Sequence, residues 1–88
     1  MAIRILYFSQ DGCMACSEQE PILLEVEKNC GVKVERIAID PTKGRSLIKE
    51  HRLSVTPTIL FVREGKELER FEGLVHQEQL SEAIRRHL

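Results

Sequence analysis

The chain is short of nearly everything that would mark a specialised surface. It has no tryptophan, one tyrosine, three cysteines and three prolines in 88 residues. Thirteen lysines and arginines face 14 aspartates and glutamates, a net charge of −1. That balance supplies no basic patch for nucleic acid and no polybasic segment for an anionic membrane surface. The N-terminal apolar run, Ile3 to Phe8, is interrupted by Arg4. It is too short for a signal-peptide core or a membrane span, and no small-residue cleavage site follows. The expectation is a cytoplasmic protein. Three cysteines are an odd number, fewer than the even sets that staple small secreted domains. No internal repeat, linker, low-complexity segment or cofactor-binding fingerprint interrupts the pattern. Residues 1–88 therefore read as one domain with a modest core.

What is present alternates between strand and helix. Ile3 to Ser9 carries β-branched and aromatic residues and reads as a buried central strand, ended by the Asp11-Gly12 turn. From Cys13 to Cys30 the period becomes helical: Ile22, Leu23, Val26 and Cys30 recur at three- and four-residue steps, with Cys16 on the same stripe. Pro21 lies inside this helix and removes one of its backbone bonds. Gly31 reads as a left-handed cap. Val32 to Ile39 is the second strand. Asp40 and Pro41 open a second helix as N-cap and first residue, with Leu47, Ile48 and His51 inward. Thr58 to Val62 is a dense apolar strand, Glu64-Gly65 a hairpin turn, and Glu67 to Glu72 a charged edge strand ended by Gly73. The last helix, about His76 to Leu88, carries Leu80, Ala83, Ile84 and Leu88 on one stripe. The order β-α-β-α-β-β-α predicts an α/β fold. Its four-stranded mixed sheet has parallel first strands, an antiparallel final hairpin and helices on both faces.

The informative motif is Cys13-Met14-Ala15-Cys16 at the strand-to-helix junction. Residues three apart share a helix face, so the two sulfurs can meet. Free N–H groups and the positive end of the helix dipole favour a thiolate there. Two chemistries compete for such a pair: a reversible dithiol/disulfide, or half of a metal site. Structural zinc needs four ligands, and Cys30, His51, His76 and His87 show no paired spacing. Copper carriers also place such a loop after a first strand, but their order ends in a strand. Cys30 lies 14 residues beyond Cys16 on one helix. At about 1.5 Å per residue that is about 21 Å, beyond disulfide reach.

On these residues the chain resembles the thioredoxin-like superfamily. The likeness is carried by Cys13 and Cys16, Pro21 five residues past Cys16, Pro57 before an apolar strand, the Glu64-Gly65 turn, and Gly73 after the last strand. Its size resembles the short, glutaredoxin-sized thioredoxins of archaea and some bacteria. The resemblance implies a thioredoxin-like fold with a cis Thr56–Pro57 bond. It also implies a protein-disulfide reductase that needs no cofactor or metal beyond its own Cys13–Cys16 couple. Cys13 would be the nucleophile, its pKa below the roughly 8.5 of a free thiol, and Cys16 the resolving thiol. Gly12, Met14 and Ala15 would shape the active-site loop, while Thr56, Pro57 and Gly73 would bind substrate. Partners would be disulfide-containing proteins and a flavoprotein or ferredoxin-linked reductase, with the chain acting as a monomer in electron transport and redox homeostasis. Three departures stand out. Gly12 replaces the family's tryptophan, Tyr7 its buried acid, and Leu74-Val75-His76 the pattern that holds glutathione in glutaredoxins. A glutathione-dependent glutaredoxin is the alternative. Asp11, Glu18 and Glu20 are expected to surround the thiols with negative charge, giving a reductant rather than a strong oxidant.

Overall fold

A computed structural model describes residues 2–40, 42 and 44–88. The elements are β1 (Arg4–Ser9), α1 (Met14–Cys30), β2 (Val34–Ala38), α2 (Gly44–His51), β3 (Thr58–Arg63), β4 (Lys66–Glu72) and α3 (Gln77–His87). They form one sheet in the order β2-β1-β3-β4. β1 and β2 run parallel, and the other two pairs are antiparallel.

β1 is central because both of its faces are apolar. Ile5 and Tyr7 point to one side and join Leu23, Val26, Ile59, Phe61, Leu80, Ala83 and Ile84 beneath α1 and α3. Leu6 and Phe8 point to the other and pack with Leu60 and Leu53. This alternation is the period-two geometry of a strand covered on both sides. The second face is thinner, and a charged side chain helps to close it. Arg70 on β4 donates to the carbonyls of His51 (2.5 Å) and Arg52 (3.3 Å) just past α2, and to both carboxylate oxygens of Glu67. The His51 ring rests on Phe8 with centroids 5.1 Å apart.

α1 runs unbroken through Pro21 and ends at Gly31, whose φ of +65° places it in the left-handed region. The Gly31 N–H donates to the Glu27 carbonyl at 3.0 Å, a helix stop that a Cβ would oppose. Beyond it, α1 reaches back to the sheet border. The Glu27 carboxylate accepts the Val34 N–H at 2.8 Å and pairs with Arg36, whose guanidinium also donates to the Val34 carbonyl at 3.3 Å.

Four boundaries or faces differ from the sequence reading. β2 is shorter than Val32–Ile39: Val32 packs against the core before the strand begins, and Ile39, though it donates its N–H to the Ser9 carbonyl at 2.7 Å, lies just past the strand's end. α2 begins at Gly44. Asp40 still makes the bonds of the expected cap: its carboxylate accepts the Thr42 N–H at 2.8 Å, and its carbonyl accepts the Gly44 N–H. Pro41, expected as the first helical residue, lies outside the described residues. Ile48 is exposed at 42 %, not inward, and Leu88 lies past the end of α3 at 75 % exposure. An eight-residue helix over a sheet corner has only a narrow inner stripe, and here Gly44 is its buried residue.

Candidate functional site

The site is built where β1 hands over to α1. Gly12, at φ +79°, turns the chain in a conformation that costs glycine little. Cys13 is then the N-cap of α1, with extended backbone. Its sulfur accepts the Cys16 N–H at 3.1 Å, satisfying one of the free donors that every helix start leaves. Cys13 and Cys16 are joined as a disulfide across a Cα–Cα distance of 5.2 Å. The environments of the two sulfurs differ. Cys13 is half-buried and Cys16 only 6 % exposed, while Met14 between them stands 80 % exposed. Ala15 is half-buried.

Across from the disulfide lies the Thr56–Pro57 peptide, which is cis. The Thr56 carbonyl oxygen is 3.6 Å from Cys13 Sγ. In the disulfide that sulfur has no proton, so this is a contact, and it becomes a hydrogen-bond position once Cys13 is a thiol. The Pro57 carbonyl accepts the Gly73 N–H at 2.9 Å. Gly73, Thr56 and Pro57 therefore converge with the two cysteines, although they lie at least 40 residues away in sequence. Exposed Val55 and Ile48 extend an apolar rim beside them, around a recess of about 100 Å³ that Thr56 and Leu53 also line.

On the other side of the sulfurs a shallow cavity of about 450 Å³ is lined by Tyr7, Ser9, Gly12, Cys13, Cys16 and Glu20, among others. The buried Tyr7 hydroxyl donates to the Cys16 carbonyl at 2.9 Å. Burial, with a further push from the Glu20 charge, raises the Tyr7 hydroxyl pKa. Glu20 itself is held by Arg36 at 2.5 Å. The negative ring expected around the thiols is thus weaker than the sequence suggests, since one of its three members carries a counter-ion.

Cys30 stands apart at the far end of α1. It is half-buried, with its thiol against Ser81 Oγ at 3.7 Å. His51 is occupied with Phe8, and exposed His76 caps α3 without a side-chain bond. Sequence reasoning passes over one residue of the site's surroundings. Gln19 is fully buried and bonds through both ends of its amide to Val75, in the loop after Gly73. A signal was available: Gln19 falls on the inward stripe Cys16–Gln19–Leu23–Val26.

Comparison with known proteins agrees with this geometry. The thioredoxin family model matches residues 2–86. Thioredoxin 2 of Plasmodium berghei is 35% identical over 86 residues, which cover 98% of this chain and 55% of that protein. The chloroplastic thioredoxin Y of Oryza sativa is 33% identical over 77 residues, 88% of this chain and 46% of that one. The chain thus spans about half the length of the first curated relatives it matches. Among solved structures, thioredoxin-2 of the malaria parasite superposes with a TM-score of 0.83 at 26% identity, covering 98% of this chain and 84% of that one. Fasciola hepatica thioredoxin gives 0.78 at 25% identity, covering 99% and 82%.

Proposed function

The chain belongs to the thioredoxin family, and from that premise we propose that it reduces disulfides in other proteins through the Cys13–Cys16 couple. The observation that carries the reading is the asymmetry of the two sulfurs. One is accessible at the helix N-cap beside the Thr56 carbonyl, and the other is one turn in and shielded.

In the reduced protein the Cys13 thiolate is favoured by the Cys16 N–H and by the helix dipole. It attacks one sulfur of a substrate disulfide. A mixed disulfide forms and the first substrate thiolate leaves, taking a proton from solvent. Cys16 then loses its proton and attacks Cys13 Sγ, which expels the second substrate thiolate. Two electrons have passed to the substrate, and Cys13–Cys16 is the disulfide seen here. The Thr56 and Gly73 backbone would hold the substrate segment as an added strand, and the apolar rim of Met14, Val55 and Ile48 would receive its side chains. A flavoprotein or ferredoxin-linked reductase would return the electrons, with the protein working as a monomer in the cytoplasm. Among the described residues no helix is long and apolar enough to cross a membrane.

The test is a trapping pair assayed on insulin. Cys16→Ser should accumulate a mixed disulfide with substrate that dithiothreitol releases, and Cys13→Ser should form none. Equal trapping by both variants, or a wild-type chain that leaves insulin disulfides intact, would defeat the assignment.

A further inference from the structure

The loop between β4 and α3 is tied to α1 by one side chain. Gln19 is 0 % exposed, and its amide makes two bonds with one residue 56 positions away. Nε2 donates to the Val75 carbonyl at 2.9 Å, and Oε1 accepts the Val75 N–H at 2.9 Å. The amide reproduces the two-way exchange of an antiparallel ladder, because it carries a donor and an acceptor side by side as a peptide does.

From Val75 the connection runs on to the sulfurs. Gly73, two residues earlier, donates to the Pro57 carbonyl at 2.9 Å, and the neighbouring Thr56 carbonyl touches Cys13 Sγ at 3.6 Å. Cys13 is bonded to Cys16, which precedes Gln19 by three residues on the same buried stripe. The circuit is closed. An apolar residue at position 19 would serve the core between α1 and α3 equally well, since its other members there, Leu23, Val26, Leu80, Ala83 and Ile84, are all apolar. It could not pair Val75.

We infer that Gln19 is a positioning residue of the redox site. Through Val75 it sets where the Gly73–Val75 and Thr56–Pro57 backbone stands relative to Cys13, and so governs capture of an extended substrate segment rather than the reactivity of the sulfurs. The inference rests on the disulfide-reductase reading above.

Two variants test it, with insulin as substrate. Reduction of the Cys13–Cys16 disulfide by dithiothreitol, which is too small to need the platform, is the control. Gln19→Leu should raise KM for insulin about tenfold while kcat and the dithiothreitol rate stay within about twofold, the pattern of lost binding rather than lost chemistry. Gln19→Glu gives a second reading that a merely structural role would not produce. As a neutral acid it offers Val75 the same donor and acceptor as the amide. As a carboxylate it offers acceptors only, and faces the Val75 carbonyl with negative charge. Burial keeps such a carboxyl neutral to higher pH than usual. Its KM, divided by that of wild type at each pH, should be near one in acid and climb as pH rises through the raised pKa. Taking the ratio cancels the titration of Glu18, Glu20 and His76, which both proteins share. A Gln19→Leu KM that does not move, or a Gln19→Glu ratio flat with pH, overturns the role of Gln19 while leaving the reductase reading in place. A wild-type chain inactive on insulin overturns both. Should Gln19→Leu fail to fold, the pH series of Gln19→Glu decides alone.

Discussion

Replacing Tyr7 by phenylalanine removes one oxygen from the centre of the sheet and leaves the ring in place. That oxygen sits in a residue only 2 % exposed and donates to the Cys16 carbonyl at 2.9 Å. The carbonyl adjoins a gap in the hydrogen-bond ladder of α1. Pro21 has no N–H to offer Ser17, so the first turns are held to the rest of the helix by fewer backbone bonds. Losing a bond to a buried carbonyl costs about 1.5 kcal/mol. In a chain of this size that corresponds to a fall in Tm of roughly 6–12 °C. Urea denaturation of the oxidised protein should show the same loss as a lower midpoint with an unchanged slope. A second signature follows from the titration of the hydroxyl. Burial raises its pKa above the ordinary 10.0, so the folded protein favours the neutral form. The stability this contributes is complete below about pH 10 and drains away as pH climbs through the raised value. Tyr7→Phe should therefore be less stable at neutral pH and also show a shallower alkaline decline. A midpoint shift worth less than about 0.5 kcal/mol would refute the claim that this hydroxyl supports the start of α1.

Two further expectations concern the frame around the site. A Cβ on Gly44 would overlap the Ile39 Cγ2 methyl, so Gly44→Ala forces Ile39 or the start of α2 to shift. Overpacking of this kind costs about 1–3 kcal/mol, readable in the same urea midpoint, and no change would mean that Ile39 yields freely. The Arg36 guanidinium holds the Glu27 carboxyl below its ordinary 4.5, so its contribution is present above that value and lost as pH falls through the depressed one. Glu27→Gln should flatten the stability profile between about pH 5 and pH 2 and leave the alkaline side alone. An unchanged acid arm would show that the pair contributes nothing.

Much of this molecule can be read from its residues. The Cys13–Cys16 pair, the Gly31 stop, the Glu64-Gly65 turn and the strand Thr58 to Val62 are local signals, set by backbone freedom and apolar periodicity. Element order and sheet direction follow from them, and so does the thioredoxin fold. What stays hidden depends on partners distant in the chain. The inward stripe hints that Gln19 is buried, but the work of its amide is hidden until Val75 is seen opposite it. Arg70 looks like part of a solvated charge run, yet it spans the gap from β4 to the end of α2. The start of α2 is displaced for a local reason: Asp40 makes the two bonds of a helix cap, to the Thr42 and Gly44 N–H groups, yet the regular helix begins only at Gly44. Ile48 misleads because apolar spacing cannot say how much of a short helix the sheet will cover.

The outer border of β2 has one more consequence. Val34 gives its N–H to Glu27 and its carbonyl to Arg36, so a foreign strand sliding alongside finds its first docking pair taken. The protein carries its own stopper against fibrous growth, made from a helix carboxylate and a strand guanidinium rather than from bulk or proline. Such a plug is electrical in nature, and it loosens when Glu27 loses its charge and its hold on Arg36.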